Sequence, residues 1–276
     1  MIMADASKQD PQSPTTLQTI DADKLDKARV GRLQASSTLK LETLQSQLLF
    51  NGRREKEKKE RIIGLRGFGS LLTAVWHGAV KDCPWAWEKL LQVEETLKRQ
   101  KAFIEELTQT ADQSLVSAPG LSHSEAHSIE PLIVEIRFST PYSYIGASLL
   151  SEYDRLVRLA MQAQHVGRLA DKEAFRLIHK GGRAVRGAFE SAFGYKFSGL
   201  TTNDLLQGTA KAKEAVAERG LVSDAILRGL KRPEFTPKPV AAFSARYYSV
   251  RMPAAKTEGN VQENHDRLDS KKAMTN

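Results

Sequence analysis

The stretch that decides the fold is residues 131–167, PLIVEIRFSTPYSYIGASLLSEYDRLVRLAMQAQHVG. Its first part alternates: Leu132, Val134, Ile136 and Phe138 interleave with Ile133, Glu135, Arg137 and Ser139. Successive side chains of a strand point to opposite faces, so this pattern predicts a strand with two unlike sides. Thr140-Pro141 then stops the strand and opens a helix, because proline offers no N–H to a ladder but fits a helix's first turn. The period now changes. Leu149, Leu150, Tyr153, Leu156, Val157, Ala160 and Ala163 fall on one helical stripe, and Gly167 ends it.

Working outward, a second segment alternates in the same way. Leu39 and Leu41 share one face, with Lys40 and Glu42 on the other, and helical spacing follows through Leu44, Leu48 and Leu49 until Asn51-Gly52. A lone strand leaves a row of unpaired backbone groups. The two segments, residues 38–43 and 132–139, are therefore expected to pair antiparallel within one chain. Leu39 and Leu41 would then lie beside Val134, Ile136 and Phe138 on the core side, with Lys40, Glu42, Glu135 and Arg137 outside. The rival is a symmetric homodimer in which residues 132–139 pair with their own copy.

The rest reads as helix. Residues 53–61, RREKEKKER, form a net basic run read as a solvated helix start. Ile62, Leu65, Phe68, Leu72, Val75 and Ala79 make an apolar stripe. Asp82 or Cys83 caps the next helix, with Pro84 at its first position and Leu90, Val93, Leu97, Ile104 and Leu107 facing inward. These two helices should form an antiparallel hairpin, with Trp76, Trp85 and Trp87 clustered at its turn as a core lock. Residues 117–130 read as a loop, in which Ser122 and Glu125 offer a capping box for one helical turn. Asp171 is expected to cap a helix reaching about Phe193, and Thr201 or Thr202 another reaching about Glu218.

The 276 residues are 41% hydrophobic, enough to bury a sizeable core, and carry a net charge of +8. One cysteine, Cys83, excludes an internal disulfide. The longest uncharged apolar stretch, residues 67–80, is shorter than the roughly 18 residues a membrane span needs, and residues 1–29 contain no apolar signal core. A cytoplasmic, membrane-free protein is expected. Both ends are poor in large apolar groups and cannot offset an ordering entropy of roughly 1–2 kcal/mol per residue. The expected organisation is a disordered tail over residues 1–30, a helical domain with the ribbon over 31–232, and a flexible tail over 233–276.

Signs of catalysis are weak. His123 and His127 have i, i+4 spacing but no cysteine or acid completes a metal set, so neither metal nor cofactor is expected. Gly181-Gly182 lacks the flanks of a phosphate loop, Cys83 sits where a helix starts, and paired carboxylates such as Glu94-Glu95 lie on charged helix faces. The features that suit nucleic acid cohere better. Arg176, Lys180, Arg183 and Arg186 stand at i, i+4, i+7 and i+10, interleaved with Phe175, Ile178 and Val185, which suits phosphate contact. A two-stranded ribbon enters the major groove of double-stranded DNA. There Arg137 and Lys40 match guanine, Glu135 and Glu42 match cytosine, and Ser139 is a further candidate base contact. The structural alternative is a surface strand pair that merely closes a helical core.

The runs IIGLRGF, WAWEKLLQVEETL, EPLIVEIRFSTPYSYIGASLLSEYDRLVRLAMQAQHVG and HKGGRAVRGAFESAFGYKFSGLTTNDLLQGTA resemble the AcaB-like family of integrative conjugative elements and conjugative plasmids. The similarity spans about residues 31–229 and contains no catalytic signature. It implies a transcriptional regulator of conjugative-transfer genes with a ribbon-helix-helix type fold, and it places the ribbon strand at residues 132–139. A typical unit of that type is short, lies near the N-terminus and pairs one strand from each of two subunits; here the strand is central and the helices are long. The alternative function, from a different class, is an accessory protein of the conjugation machinery that binds protein partners through the helical hairpin.

Overall fold

Antiparallel pairing of the two alternating segments is the organising feature of the computed structural model, which describes residues 36–54, 61–115 and 122–237. Strands β1 (Ser37–Leu41) and β2 (Leu132–Ile136) form a two-stranded sheet within one chain. Leu39 stands opposite Val134 and Leu41 opposite Leu132, while Ile136 faces Ser37 across the ladder. Leu39, Leu41 and Ile136 are buried, and Thr38, Lys40, Ile133 and Glu135 are exposed. The expected inward and outward rows hold for the paired residues.

Each strand feeds a helix. Thr43 caps α1 (Leu44–Asn51), and Thr140 caps α4 (Pro141–His165) with Pro141 in its first turn. Between them lie α2 (Leu65–Val80) and α3 (Pro84–Ser114); after them come α5 (Asp171–Glu190), α6 (Thr202–Gln207), α7 (Ala210–Arg219) and α8 (Asp224–Leu227). Helices α3, α4 and α5 pack on one another, with α2 and the ribbon laid against α4. Leu72, Leu90, Ile104, Leu150 and Leu156 are fully enclosed, and Phe68 stacks on Phe189 at 4.9 Å. Each such side chain contributes about 1.5–3 kcal/mol through burial. The described residues from 37 onward fall in one compact unit. Among them no helix is long and apolar enough to cross a membrane.

The tryptophans lock the α2–α3 turn to the C-terminal helices. Trp85 donates its indole N–H to the Gly220 carbonyl (3.2 Å), and Trp87 donates to Asp82 (2.9 Å). Asp82 also accepts from the Thr202 hydroxyl, and its carbonyl accepts from the Thr202 amide (3.0 Å). Cys83, not Asp82, is the N-cap of α3.

Several elements differ from their sequence reading. The basic run does not lead directly into α2: Arg53 and Ile62 exchange two backbone hydrogen bonds of 2.8 Å as an antiparallel hairpin base, and residues 55–60 between them lie outside the described residues. Gly52 and Gly64 allow this closure. A Cβ on Gly52 would stand 2.4 Å from the Gly64 nitrogen, and Gly52 has φ +70° and ψ −168°, a region open essentially to glycine alone. Helix α2 therefore begins at Leu65. Ala170, not Asp171, caps α5, and Asp171 sits in its first turn. The helix expected from Thr201 breaks at Gly208, in the left-handed conformation, and restarts under a Thr209 cap. Residues 122–128 have no helical turn, because Glu125 pairs with Arg158 (2.9 Å) instead of capping. The tail reading for residues 1–30 lies outside the described residues. At the other end, the Phe235 amide donates to the Tyr142 hydroxyl (3.1 Å) and the Glu234 amide to Glu94 (2.8 Å), so the chain is still docked beyond residue 232.

Candidate nucleic-acid interface

The outer face of the ribbon follows from its register. Lys40 lies opposite Ile133, and Thr38 opposite Glu135. Arg137 continues the row beyond β2 and donates through Nε and Nη2 to Glu135 Oε1 at 3.0 and 2.8 Å. An exposed pair of this kind contributes about 0–1 kcal/mol, so it does not hold the guanidinium against a better acceptor. Ser139 is exposed in the turn before Thr140. Lys40, Glu135, Arg137 and Ser139 are thus solvent-facing on or beside one ribbon.

Glu42 is not. Strict alternation places it outward, but β1 ends at Leu41 and the Glu42 side chain turns inward, with 6% of its surface exposed. Its carboxylate receives Lys40 Nζ (2.8 Å), the Ser128 amide (2.8 Å) and His127 Nδ1 (3.2 Å). Burial pushes its pKa up, but these hydrogen bonds and the nearby Arg158 charge outweigh it and hold the carboxyl down at about 2. A carboxylate so buried and committed does not face a base edge. His127 serves this network, and the loop carrying it is fastened to α4: Arg158 donates to the Ala126 carbonyl (2.9 Å) and Gln162 to that of Ser124 (2.7 Å).

Asp154 escaped the sequence reading and matters as much as any of these. It is buried on α4 between Tyr153 and Leu156, within the apolar stripe. It accepts from the Glu42 amide (3.1 Å), the Thr43 amide (2.9 Å), the Thr43 hydroxyl (2.8 Å) and the Ser46 hydroxyl. One carboxylate therefore fixes the end of β1 and the start of α1 on α4. The available signal was an acid inside an otherwise apolar helical stripe, since buried carboxylates are rare unless paired.

On α5, Arg176, Lys180 and Arg183 are exposed, as a phosphate-facing stripe requires. Arg186 is half-buried and turns aside into a groove against Tyr153 and α1. The apolar side is buried at Leu177, Val185 and Phe189, whereas Phe175 stays exposed and stacks on His179. The ribbon and α5 are joined by a run of contiguous concavities. A 430 Å³ hollow under β2 contains Arg66 and Arg137 and shares Ser70 with a 620 Å³ hollow lined by Arg53, Arg54 and Arg61. That one shares Gly52, Arg53 and Ile62 with the 380 Å³ groove at Arg186. Glu135 is the one carboxylate among the described residues lining the three. The arginines at the hairpin base were visible in the sequence as a charge run, but nothing there placed them between ribbon and α5.

Residues 29–239 match the family described as transcriptional regulator AcaB. The chain belongs to the AcaB family of transcriptional regulators. The resemblance seen in residues 31–229 thus holds over most of the chain. No curated protein matches it. Among solved structures it is similar to selenomethionine-containing AcaB from uropathogenic E. coli, at 13% identity and a TM-score of 0.47, over 70% of this chain and 94% of that one.

Proposed function

We propose that the chain regulates conjugative-transfer genes of a mobile element by binding double-stranded DNA, with the β1–β2 ribbon in the major groove. The observation that carries this reading is the ribbon's outer face, which presents Lys40, Glu135 and Arg137 to solvent while its inner face closes the core. A two-stranded ribbon fits the roughly 12 Å major groove, where arginine or lysine reads guanine and a carboxylate accepts from cytosine. Membership of a transcriptional regulator family and the basic run from Arg66 through the hairpin base to α5 support it further. Arg176, Lys180 and Arg183 then hold phosphates, and Ser139 lies at the end of the reading face. Glu42 supports the ribbon from within and makes no base contact.

Fluorescence anisotropy with promoter fragments of the host element and with random DNA, over a range of salt, tests the proposal. Neutralising about five phosphates gives a slope of log K against log salt of roughly −4 to −5. Promoter fragments should bind more tightly than random DNA. Equal affinity for both, or a flat salt response, refutes sequence-specific binding.

A further inference from the structure

The groove between α1 and α5 has features that DNA binding does not use. It encloses about 380 Å³, at the small end of the range for ligand pockets. Leu49 and Ile62 line its base, and Tyr153 forms a buried floor. Two adjacent glycines in mid-helix make that floor possible. A Cβ at Gly181 would stand 2.7 Å from Leu156 and 2.9 Å from Tyr153, and one at Gly182 would stand 3.0 Å from the Tyr153 hydroxyl. Each glycine costs a helix interior about 1 kcal/mol relative to alanine, and together they let the Tyr153 ring and Leu156 pack directly against the backbone of α5. One wall is Leu48, 59% exposed; the other is Phe175, 69% exposed, stacked on His179 with ring centroids 5.8 Å apart. Large apolar groups thus meet water along a concave surface.

Charge says what fits. Among the described residues no carboxylate lines the groove, while Arg186 and His179 do. None of the ion pairs among the described residues uses Arg186. A planar ring would lie against the Phe175–His179 stack, with an acid group on the Arg186 guanidinium, a charge-assisted pair in a half-enclosed site.

We infer that this groove binds a small free aromatic monoanion, an aryl carboxylate or sulfonate, with Arg186 holding its acid group and Leu48 and Phe175 flanking its ring. One side of the site, α1, follows β1 directly in sequence across the Thr43 cap. An occupant would therefore touch the helix that supports the ribbon.

The test uses the full chain without DNA, so its outcome is independent of the DNA reading. The fluorescent anion 1-anilinonaphthalene-8-sulfonate is titrated against the wild type, Arg186→Gln, Leu48→Glu and, as a control on another exposed apolar residue, Phe197→Ser. The neutral N-phenyl-1-naphthylamine is titrated in parallel, and circular dichroism confirms that each variant is folded. Saturable one-to-one binding of the anion is expected, weakened tenfold or more by Arg186→Gln and by Leu48→Glu and unchanged by Phe197→Ser. The neutral probe should bind more weakly and ignore Arg186→Gln. No saturable binding of the anion, equal affinity for both probes, or an anion affinity indifferent to the Arg186 and Leu48 changes overturns the assignment.

Discussion

Replacing Asp154 by alanine removes the acceptor on which the ribbon's attachment converges. In the wild type its carboxylate takes the Thr43 amide at 2.9 Å, the Thr43 hydroxyl at 2.8 Å, the Ser46 hydroxyl and the Glu42 amide at 3.1 Å, with Arg158 Nε 3.6 Å away. Hydrogen bonds to an ionised group contribute about 1.5–3 kcal/mol each, but they do not add. The Glu42 amide is only partly buried and gains some hydration after truncation, whereas Thr43 and Ser46 are buried and keep unsatisfied donors. Removing one partner from such a network costs about 3–5 kcal/mol. At roughly 2–4 °C per kcal/mol for a domain of this size, the thermal midpoint falls by about 6–20 °C. Asp154→Asn keeps one acceptor oxygen and loses the charge, so its loss should be about half as large. Urea unfolding gives the energies, and amide exchange locates them: protection should drop first at Thr43 and Ser46, before the core of α3. A loss below about 1 kcal/mol for the alanine variant, with Thr43 still protected, would show that the carboxylate does not anchor the ribbon.

Three further perturbations separate the remaining claims. Gly52→Ala meets both a glycine-only backbone conformation and the Gly64 nitrogen at 2.4 Å, so it should cost about 2–4 kcal/mol in urea unfolding; Gly167→Ala, at φ +71° in open space, should cost only about 1 kcal/mol, and equal costs refute the crossing as the cause. Glu42 is held at about 2 against its ordinary 4.5, so its folded pKa is depressed. Its contribution is present above pH 4.5 and disappears as pH falls towards 2. The full shift corresponds to about 3.4 kcal/mol, which screening through the half-exposed Lys40 and His127 reduces to roughly 1–2 kcal/mol. The stability gap between wild type and Glu42→Gln should accordingly shrink between pH 6 and pH 3, and a constant gap contradicts the shift. Arg183→Ala should weaken binding to promoter and random DNA alike, whereas Arg137→Ala should narrow the difference between them by roughly 1–3 kcal/mol; equal losses in competition assays contradict the division of roles.

Much of this architecture was legible because its signals are local. Alternation at Leu39/Leu41 and at Leu132–Ile136 needs only a few neighbouring residues, and it predicted the strands and their pairing within one chain. The apolar stripes of α2, α3 and α4 were read in the right phase for the same reason. What failed depended on contacts distant in sequence. In α1, Leu44, Leu48, Leu49 and Phe50 cannot all face inward. Ser46, bonded to Asp154, turns the 46–49–50 side to the core and leaves Leu44 and Leu48 in solvent. At the two ends of the basic run, Arg53 and Ile62 bridge beside the Gly52–Gly64 crossing, so α2 starts at Leu65 and not in the run. Glu42 obeyed the alternation on paper, but the strand stops one residue earlier and a loop 86 residues away supplies the Ser128 amide.

Alternation alone also leaves the register open, because a slip of two residues keeps every side chain on its face. The observed register is held by α4. The C-terminal end of β1 is pinned at Asp154 through Glu42 and Thr43, while β2 runs out through Arg137 to the Thr140 cap at the start of the same helix. From 140 to 154 is 14 residues, about 21 Å of helix at 1.5 Å per residue. A five-residue strand spans about 17 Å, and the residues that leave each end make up the difference. The ribbon is thus stretched between two fixed points on one helix, with Ser128 bonded to Glu42 closing the near end. Slipping by two would move each strand about 7 Å and detach either the Asp154 network or the Thr140 cap. The outer face is fixed in the same way. Because its two strands differ in sequence, it carries unlike rows, Thr38 and Lys40 beside Ile133, Glu135 and Arg137, and one chain alone presents an asymmetric surface.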